Sequence, residues 1–450
     1  MPAGALVTPL GSAGRLRLWN APFALISGVL LALAEALLHP TILLVFFVSQ
    51  LTDSLRTIGL VVTVGLLGWY LPQLIVPWLS QSSARQMPWA LSASLVRAAA
   101  AIFLAYSGYR TDVTDDDRLR SFFICYIVYS VAAGFAQSPV NELIARSIPA
   151  ESRARIFQQR ALWAGIFAVG AGVLARQTIS TDGPGFPRNF ALIFIAAAAA
   201  ASGAALFVGR IREPRTLQRT GPARFTPRAT DFMRVLSDGA FRRFILFGVF
   251  AGISTAADAF YVIYARREFD IPPSWIGAFL GLFAATALLS TPLWAGIVRL
   301  SGARGALQTA MALRVVSPLT MVGLPYALDS DLYRDNVSNE RIIFYILAVP
   351  IAIFGLTARG LAIGNFRYVM DLSVGERRSA YQMLALTPML VAAAAPIAGA
   401  EIADRWGFDR LFLVALFAGF VSVLFTGLLA GTGRRVRASS AAWRLKEARS

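Results

Sequence analysis

Twelve stretches of about 20 residues, each almost free of charge, run through this sequence. No other feature restricts the fold as strongly. A helix rises 1.5 Å per residue, so about 20 apolar residues cross the hydrocarbon of a bilayer with every backbone polar group satisfied internally. The stretches lie at about 21–48, 57–80, 88–108, 121–143, 157–177 and 189–208, then at 244–264, 274–298, 305–326, 342–366, 380–401 and 411–431. They are continuous runs rather than alternations, which selects helices. Composition agrees: 56% of residues are hydrophobic, 15% charged, and the mean hydropathy is +0.60, whereas a soluble domain carries about a quarter charged residues. The fold class expected is an all-α integral membrane protein of twelve transmembrane helices.

Charge then orients the chain. The net charge is +17, yet no soluble domain remains to bind nucleic acid, and none is expected to be bound. With both termini on one side, alternate loops hold roughly 27 and 12 of the Lys and Arg residues, three more lying inside spans. The richer set is expected to face the cytoplasm. Arg15 and Arg17 precede the first apolar stretch, which outruns a signal peptide and reads as an uncleaved span. One cysteine, Cys125, and one histidine, His39, exclude an internal disulfide and a multi-histidine metal site. No cofactor is expected.

The longest polar segment, between the sixth and seventh spans, divides the chain into an N-terminal bundle (1–208), a linker (209–243), a C-terminal bundle (244–431) and a basic tail (432–450). Within the linker, "TDFMRVLSDGAF" has the pattern of a short amphipathic helix on the membrane surface. The halves resemble each other in register. Aligning Gly28-Val29 with Gly248-Val249 brings Glu35 and Asp258 within a turn of matching depth, and the third and ninth spans each carry one arginine, Arg97 and Arg314. "SIPAESRARIF" follows the fourth span and "LSVGERRSAY" the tenth. Such duplication suits two bundles that rock about a shared site.

The loops carry a resemblance to a known family. "LWAGIVRLSGARGAL" matches the second-half relic of a glycine–aspartate–glycine–arginine loop signature at Gly302 and Arg304, with Arg299 where the acid would stand. "WLSQSSARQMP" keeps only Arg85 of the first-half signature, while Pro149 to Arg153 and "GAEIADRWGFDRLF" are further family-like turns. On these residues the chain resembles the major facilitator superfamily over essentially its full length. It departs from that family's drug–proton antiporters, having no arginine in the fourth span and no proline in the fifth. The resemblance implies two pseudo-symmetric six-helix bundles, with spans 1, 4, 7 and 10 lining a central cavity. Arg153 and Arg378, in the matching loops, join Arg85, Gly302 and Arg304 as residues expected to govern gating.

If that lining carries over, Glu35 and His39 on span 1, Asp258 on span 7 and Arg359 on span 10 face the cavity. A charge at bilayer depth costs about 3 kcal/mol on insertion scales, so such residues mark ion or substrate paths. Glu35 is expected to couple transport to protons; Asp258 is placed nearer the outer end of its span, within reach of water; His39 is a packing residue or a proton handler. Arg359, flanked by Gly355, Gly360 and Gly364, either meets an anionic substrate group or holds an acid, with Glu35 the expected partner. Packing of its guanidinium onto a neighbouring helix is the structural alternative. Gln137, Asn141, Tyr261 and Asn365 are polar candidates for the cavity wall. Arg97 and Arg314, on helices peripheral in the family, read as structural.

An enzyme would need a nucleophile with its base or a metal cluster, and a phosphate-binding loop is absent from the sequence. The reading is a monomeric secondary transporter in a bacterial inner membrane, exporting a small organic or amphiphilic compound against protons. Uptake of an organic anion, or a non-transporting scaffold, are the alternatives. Reporter fusions at Thr114 and Thr220 test the topology: they should report opposite sides of the membrane, with Thr220 cytoplasmic, and a shared side would refute twelve spans.

Overall fold

The computed structural model describes residues 12–81, 83, 85–180, 183–214, 229–329, 340–373 and 378–429. Most of the linker, the tail and most of the acidic 329–341 loop lie outside them. The N-terminal half comprises α1 (Ser12–Leu37, continued by a π-helical turn Pro40–Leu44 and by Val45–Val48), α2 (Leu55–Gln81) and α3 (Met87–Tyr109). It continues with α4 (Asp115–Ser147), α5 (Ala150–Thr178) and α6 (Arg188–Gly209). The C-terminal half has α7 (Gly239–Phe269), α8 (274–301), α9 (303–329), α10 (Glu340–Leu372), α11 (Ser379–Trp406) and α12 (Phe408–Leu428).

Among the described residues, ten helices are long and apolar enough to cross a membrane. Twelve crossings follow because one of the ten, Ser274–Ala327, folds back at Gly302 (φ 72°, ψ −176°) into α8 and α9. That backbone region is open to glycine and closed to other residues. The twelfth, α5, has the length but carries Arg153, Arg155, Arg160 and Arg176 along it.

Local chemistry sets several helix starts. Thr114 caps α4 by accepting from the Asp117 N–H at 3.2 Å, and Asp115 to Asp117 in the first turn with Arg146 in the last complement the helix dipole. The expected amphipathic stretch is cut in two. A short helix, Ala229–Ser237, ends at Asp238, which caps α7 by accepting from the Ala240 N–H at 2.9 Å. Val235 and Phe241 on either side of this break are both buried in the C-terminal half, while Met233 and Leu236 on the other face of the short helix are exposed.

The apolar core has an asymmetric layout. At the end of the molecule that holds the 48–55, 269–274 and 406–408 turns, one cluster runs through both halves, from Phe46 and Phe47 to Phe260, Phe279 and Phe412. At the opposite end, where the chain enters α1 and leaves α6, two clusters stand apart. One belongs to the N-terminal half (Ala24, Ile144, Ile156) and one to the C-terminal half (Phe244, Leu307, Tyr368). The halves are therefore sealed at one end and separate at the other.

The seal depends on close backbone approach. A Cβ at Gly172 of α5 would strike the backbone of Gly281 in α8, and one at Gly277 would strike that of Arg176. A Cβ at Gly59 of α2 would lie 2.7 Å from the Pro396 carbonyl oxygen of α11. Ion pairs rim the contact: Arg56 reaches Glu401 at 2.5 Å, and Arg267 donates to the Asp53 carbonyl oxygen at 2.7 Å. These exposed pairs add little energy individually; the glycine contacts carry the fit. Gly172→Leu should prise this end open. With Cys125→Ser and a reporter Ser49→Cys, labelling by a membrane-impermeant maleimide should rise several-fold, and unchanged labelling would refute the glycine seal.

Candidate functional site

Two acid–arginine pairs occupy equivalent places in the two halves. In the N-terminal half, Arg97 of α3 donates through Nη2 to Glu35 Oε1 of α1 at 3.1 Å and to the Tyr129 hydroxyl of α4 at 2.8 Å. Its guanidinium also stands 4.5 Å from the centre of the Tyr129 ring. Arg97 is 2% exposed, while the Glu35 side chain is 42% exposed. In the C-terminal half, Arg314 of α9 donates to Asp258 of α7, and the side chains are 7% and 12% exposed. Arg314 lies 5.5 Å from the centre of the Phe354 ring on α10.

Backbone irregularity accompanies each acid. α1 loosens into its π-helical turn five residues beyond Glu35, and α7 tightens into a 3-10 turn, Thr255–Ala257, directly before Asp258. Short departures of this kind recur at functional positions in helices. His39 sits at the first of them. Its ring meets Phe283 of α8 edge-on at 4.7 Å and Phe354 of α10 at 6.4 Å, and its Nδ1 is buried without a hydrogen-bond partner among the described residues. His39 thus joins α1 to the other half, and Phe354 touches both His39 and Arg314.

Several sequence expectations change. Glu35 pairs with Arg97 and not with Arg359. Asp258 is paired with Arg314 and its side chain is 12% exposed, so it is largely withdrawn from water. Arg97 and Arg314 do not stay peripheral: each reaches inward to the acid of its own half. Tyr261 is 3% exposed and packs its ring on Phe412 at 5.6 Å, inside the C-terminal core rather than on a cavity wall. Arg359 is exposed and makes no hydrogen bond or ion pair with a described residue. Asn141 is exposed, Asn365 half-buried, and Gln137 lines a cleft beside Arg97 and Arg160.

The loop residues divide as well. Arg304 donates to the Gly427 carbonyl oxygen at 2.7 Å and ties α9 to α12, while Arg153 donates to the Ile148 carbonyl oxygen at 2.8 Å. Arg85 is exposed. The side chain of Arg378 lies outside the described residues. Sequence reasoning missed Tyr129, Arg160 and Glu213. The Glu213 carboxylate accepts from the Gln86 N–H at 2.9 Å and from the Met87 N–H at 2.9 Å, closing the start of α3.

Each pair exists because a lone charge at this depth is costlier than a matched one. Breaking a buried pair by removing one partner costs about 3–5 kcal/mol, whereas removing both leaves no stranded charge. Asp258→Asn alone should therefore lower stability by that order, and Asp258→Asn with Arg314→Gln should recover much of the loss. Thermal unfolding of the four proteins of this cycle checks it; additive losses would show that the two residues do not act as a pair.

The sequence model of the Major Facilitator Superfamily matches residues 24–387. No curated protein matches the sequence. Among solved structures, a mutant of the nucleoside transporter NupG superposes with a TM-score of 0.69 at 12% identity, covering 92% of this chain and 100% of that one. A D-xylose-proton symporter gives 0.65 at 14% identity, covering 92% and 98%. A POT family transporter in complex with a thioalcohol-conjugated peptide gives 0.66 at 12% identity, covering 91% and 95%. At these identities the likeness concerns the fold, and the family match covers most of the sequence. The chain is a multi-pass membrane protein and belongs to the Major Facilitator Superfamily.

Proposed function

We propose that this protein is a proton-coupled secondary transporter of a small organic compound, working by alternating access and not as an enzyme. The observation that carries the proposal is the matched pair of acid–arginine contacts, one in each half, each built on a buried arginine. The bundles 1–208 and 244–431 rock as units, joined by the 209–243 linker. The excess of arginine in the loops of the terminal end supports placing that end, and both chain termini, in the cytoplasm of a bacterial inner membrane. The described state is then closed to the outside and open inward.

Glu35 is the coupling group in this scheme. Ionised, it neutralises Arg97 and holds α1 to α3. Protonated, it releases the guanidinium to Tyr129 or to an incoming anionic group. Proton and substrate thus compete for one arginine, which is how a gradient is exchanged for transport. Asp258–Arg314 is the equivalent contact in the second half, with Phe354 and His39 lying between them. Export of an amphiphile is the leading direction, and the apolar walls favour it. Uptake of an organic anion is the second reading. It is favoured by a count at membrane depth among the described residues, where Arg97, Arg160, Arg314 and Arg359 face only Glu35 and Asp258.

Glu35→Gln tests the coupling. In proteoliposomes the variant should lose proton-driven accumulation while retaining substrate exchange at zero gradient. Accumulation equal to that of the parent protein would exclude Glu35 from coupling. Arg359→Gln should slow initial transport at matched membrane abundance, with Arg359→Lys less affected; normal transport by the Gln variant would assign Arg359 to packing.

A further inference from the structure

Arg160 is one of the four cations at membrane depth, with no part in the coupling step. It enters α5 about 15 Å from the start of that helix at helical rise, half-buried, without a hydrogen bond or ion pair to any described residue. Its guanidinium lies against α1 at Gly28, where a Cβ would overlap it. Glycine at position 28 is what lets the side chain lie there. The two sit in a cleft between α1, α3, α4, α5 and α6 whose polar lining is Ser27, Ser94, Arg97, Gln137 and Arg160.

A second observation comes from Arg97. Its Nη2 is occupied by Glu35 and Tyr129, but its Nε–H is buried and unsatisfied. Leaving such a donor unpaired costs about 1–3 kcal/mol, and more when the group is charged. Glu35 is the carboxylate whose field reaches both arginines. Two cations therefore share one acid in a low-dielectric cleft, and one positive charge remains unmatched. The free volume is about 20 Å³, room for about one water-sized group. It admits a single oxygen of a headgroup, the rest of the group staying at the mouth of the cleft.

We infer that the cleft between Arg97 and Arg160, floored by Gly28, is a subsite for the carboxylate or phosphate group of the transported compound. This deepens the transport reading and rests on it, since it names the substrate as an anion. The planar guanidinium of Arg160 supplies parallel N–H donors suited to either oxyanion, Arg97 Nε–H closes the far side, and Gln137 and the two serines offer further donors. The body of the substrate remains outside, toward the open end. Binding there would weaken the hold of Glu35 on Arg97, which connects substrate arrival to proton uptake.

The test uses the full-length protein in non-ionic detergent, with thermal unfolding as readout. Four probes separate the sources of an oxyanion: benzoate, its neutral counterpart benzamide, inorganic phosphate, and a short-chain phosphatidylglycerol. Benzoate or phosphate should raise the midpoint and benzamide should not. Arg160→Gln should weaken that binding about tenfold to a hundredfold, as expected for losing hydrogen bonds to a charged group. Gly28→Ala, which leaves every charge in place, should weaken it too, and serves if Arg160→Gln fails to fold. A response to phosphatidylglycerol alone would assign the cleft to lipid and overturn the inference. So would no response to any anion, or equal binding by both variants. Counterflow in proteoliposomes separates the two readings. Anion binding that needs Arg160 but accompanies no flux refutes transport and leaves the subsite standing; normal flux of an anionic substrate by Arg160→Gln does the reverse.

Discussion

Everything about this protein turns on keeping charge inside an apolar slab. A carboxylate or guanidinium at that depth is tolerable when it meets an opposite charge, further hydrogen bonds, or water. Arg97 satisfies the first two conditions through Glu35 and Tyr129, and Arg314 meets Asp258 beneath the Phe354 ring. These contacts fix which helices must be neighbours: α1 with α3, and α7 with α9. They also make the neighbourhood conditional, because adding a proton to either acid removes the charge to which its arginine is drawn.

The layout of the apolar core gives that conditional contact leverage. A single cluster holds both halves together at one end, while each half keeps a private cluster at the other. The private clusters let the open ends separate without exposing either core. The shared cluster is held largely by glycine-mediated approach, as at Gly172 and Gly281, with hydrogen bonds from Arg56, Arg266 and Arg267 crossing beside it. Interfaces of that kind depend on shape and can reseat as rigid units, which is what rocking of two bundles demands.

The fold was legible because bilayer thickness translates directly into run length, and the arginine bias of the loops adds the even count. The helix limits were less legible. α4 and α10 extend several residues past their apolar runs, since helical hydrogen bonding does not stop where hydrocarbon does. Within the site, composition pointed to Glu35, Asp258, Arg97 and Arg314 as the unusual residues, but it could not say who meets whom. Partnering depends on helix rotation and tilt, which a sequence periodicity this uniformly apolar leaves undefined. Arg359 attracted attention for its setting and has no partner among the described residues, whereas Arg160, inside the 157–177 run, was not singled out although it lies against α1. Tyr129 was hidden for a plainer reason: in a run as aromatic as "FFICYIVYS", nothing separates a phenol that receives a buried guanidinium from one that merely packs.

The anchoring of the linker has a mechanical consequence. Its first residues belong to the N-terminal half: Asn20 of α1 donates to the Arg212 carbonyl oxygen at 2.9 Å and accepts from the Arg212 N–H at 2.8 Å, and Glu213 closes the start of α3. Its last residues belong to the other half, where Asp238 caps α7 and accepts from the Tyr381 hydroxyl at 2.9 Å. Between the two anchored parts, the chain from Glu213 to Ala229 has a contour length of at most about 55 Å. That length sets a ceiling on how far the two open ends can travel apart. Because Glu213 grips the helix that carries Arg97, tension in that connection would be felt first at the helix that holds Arg97 against Glu35.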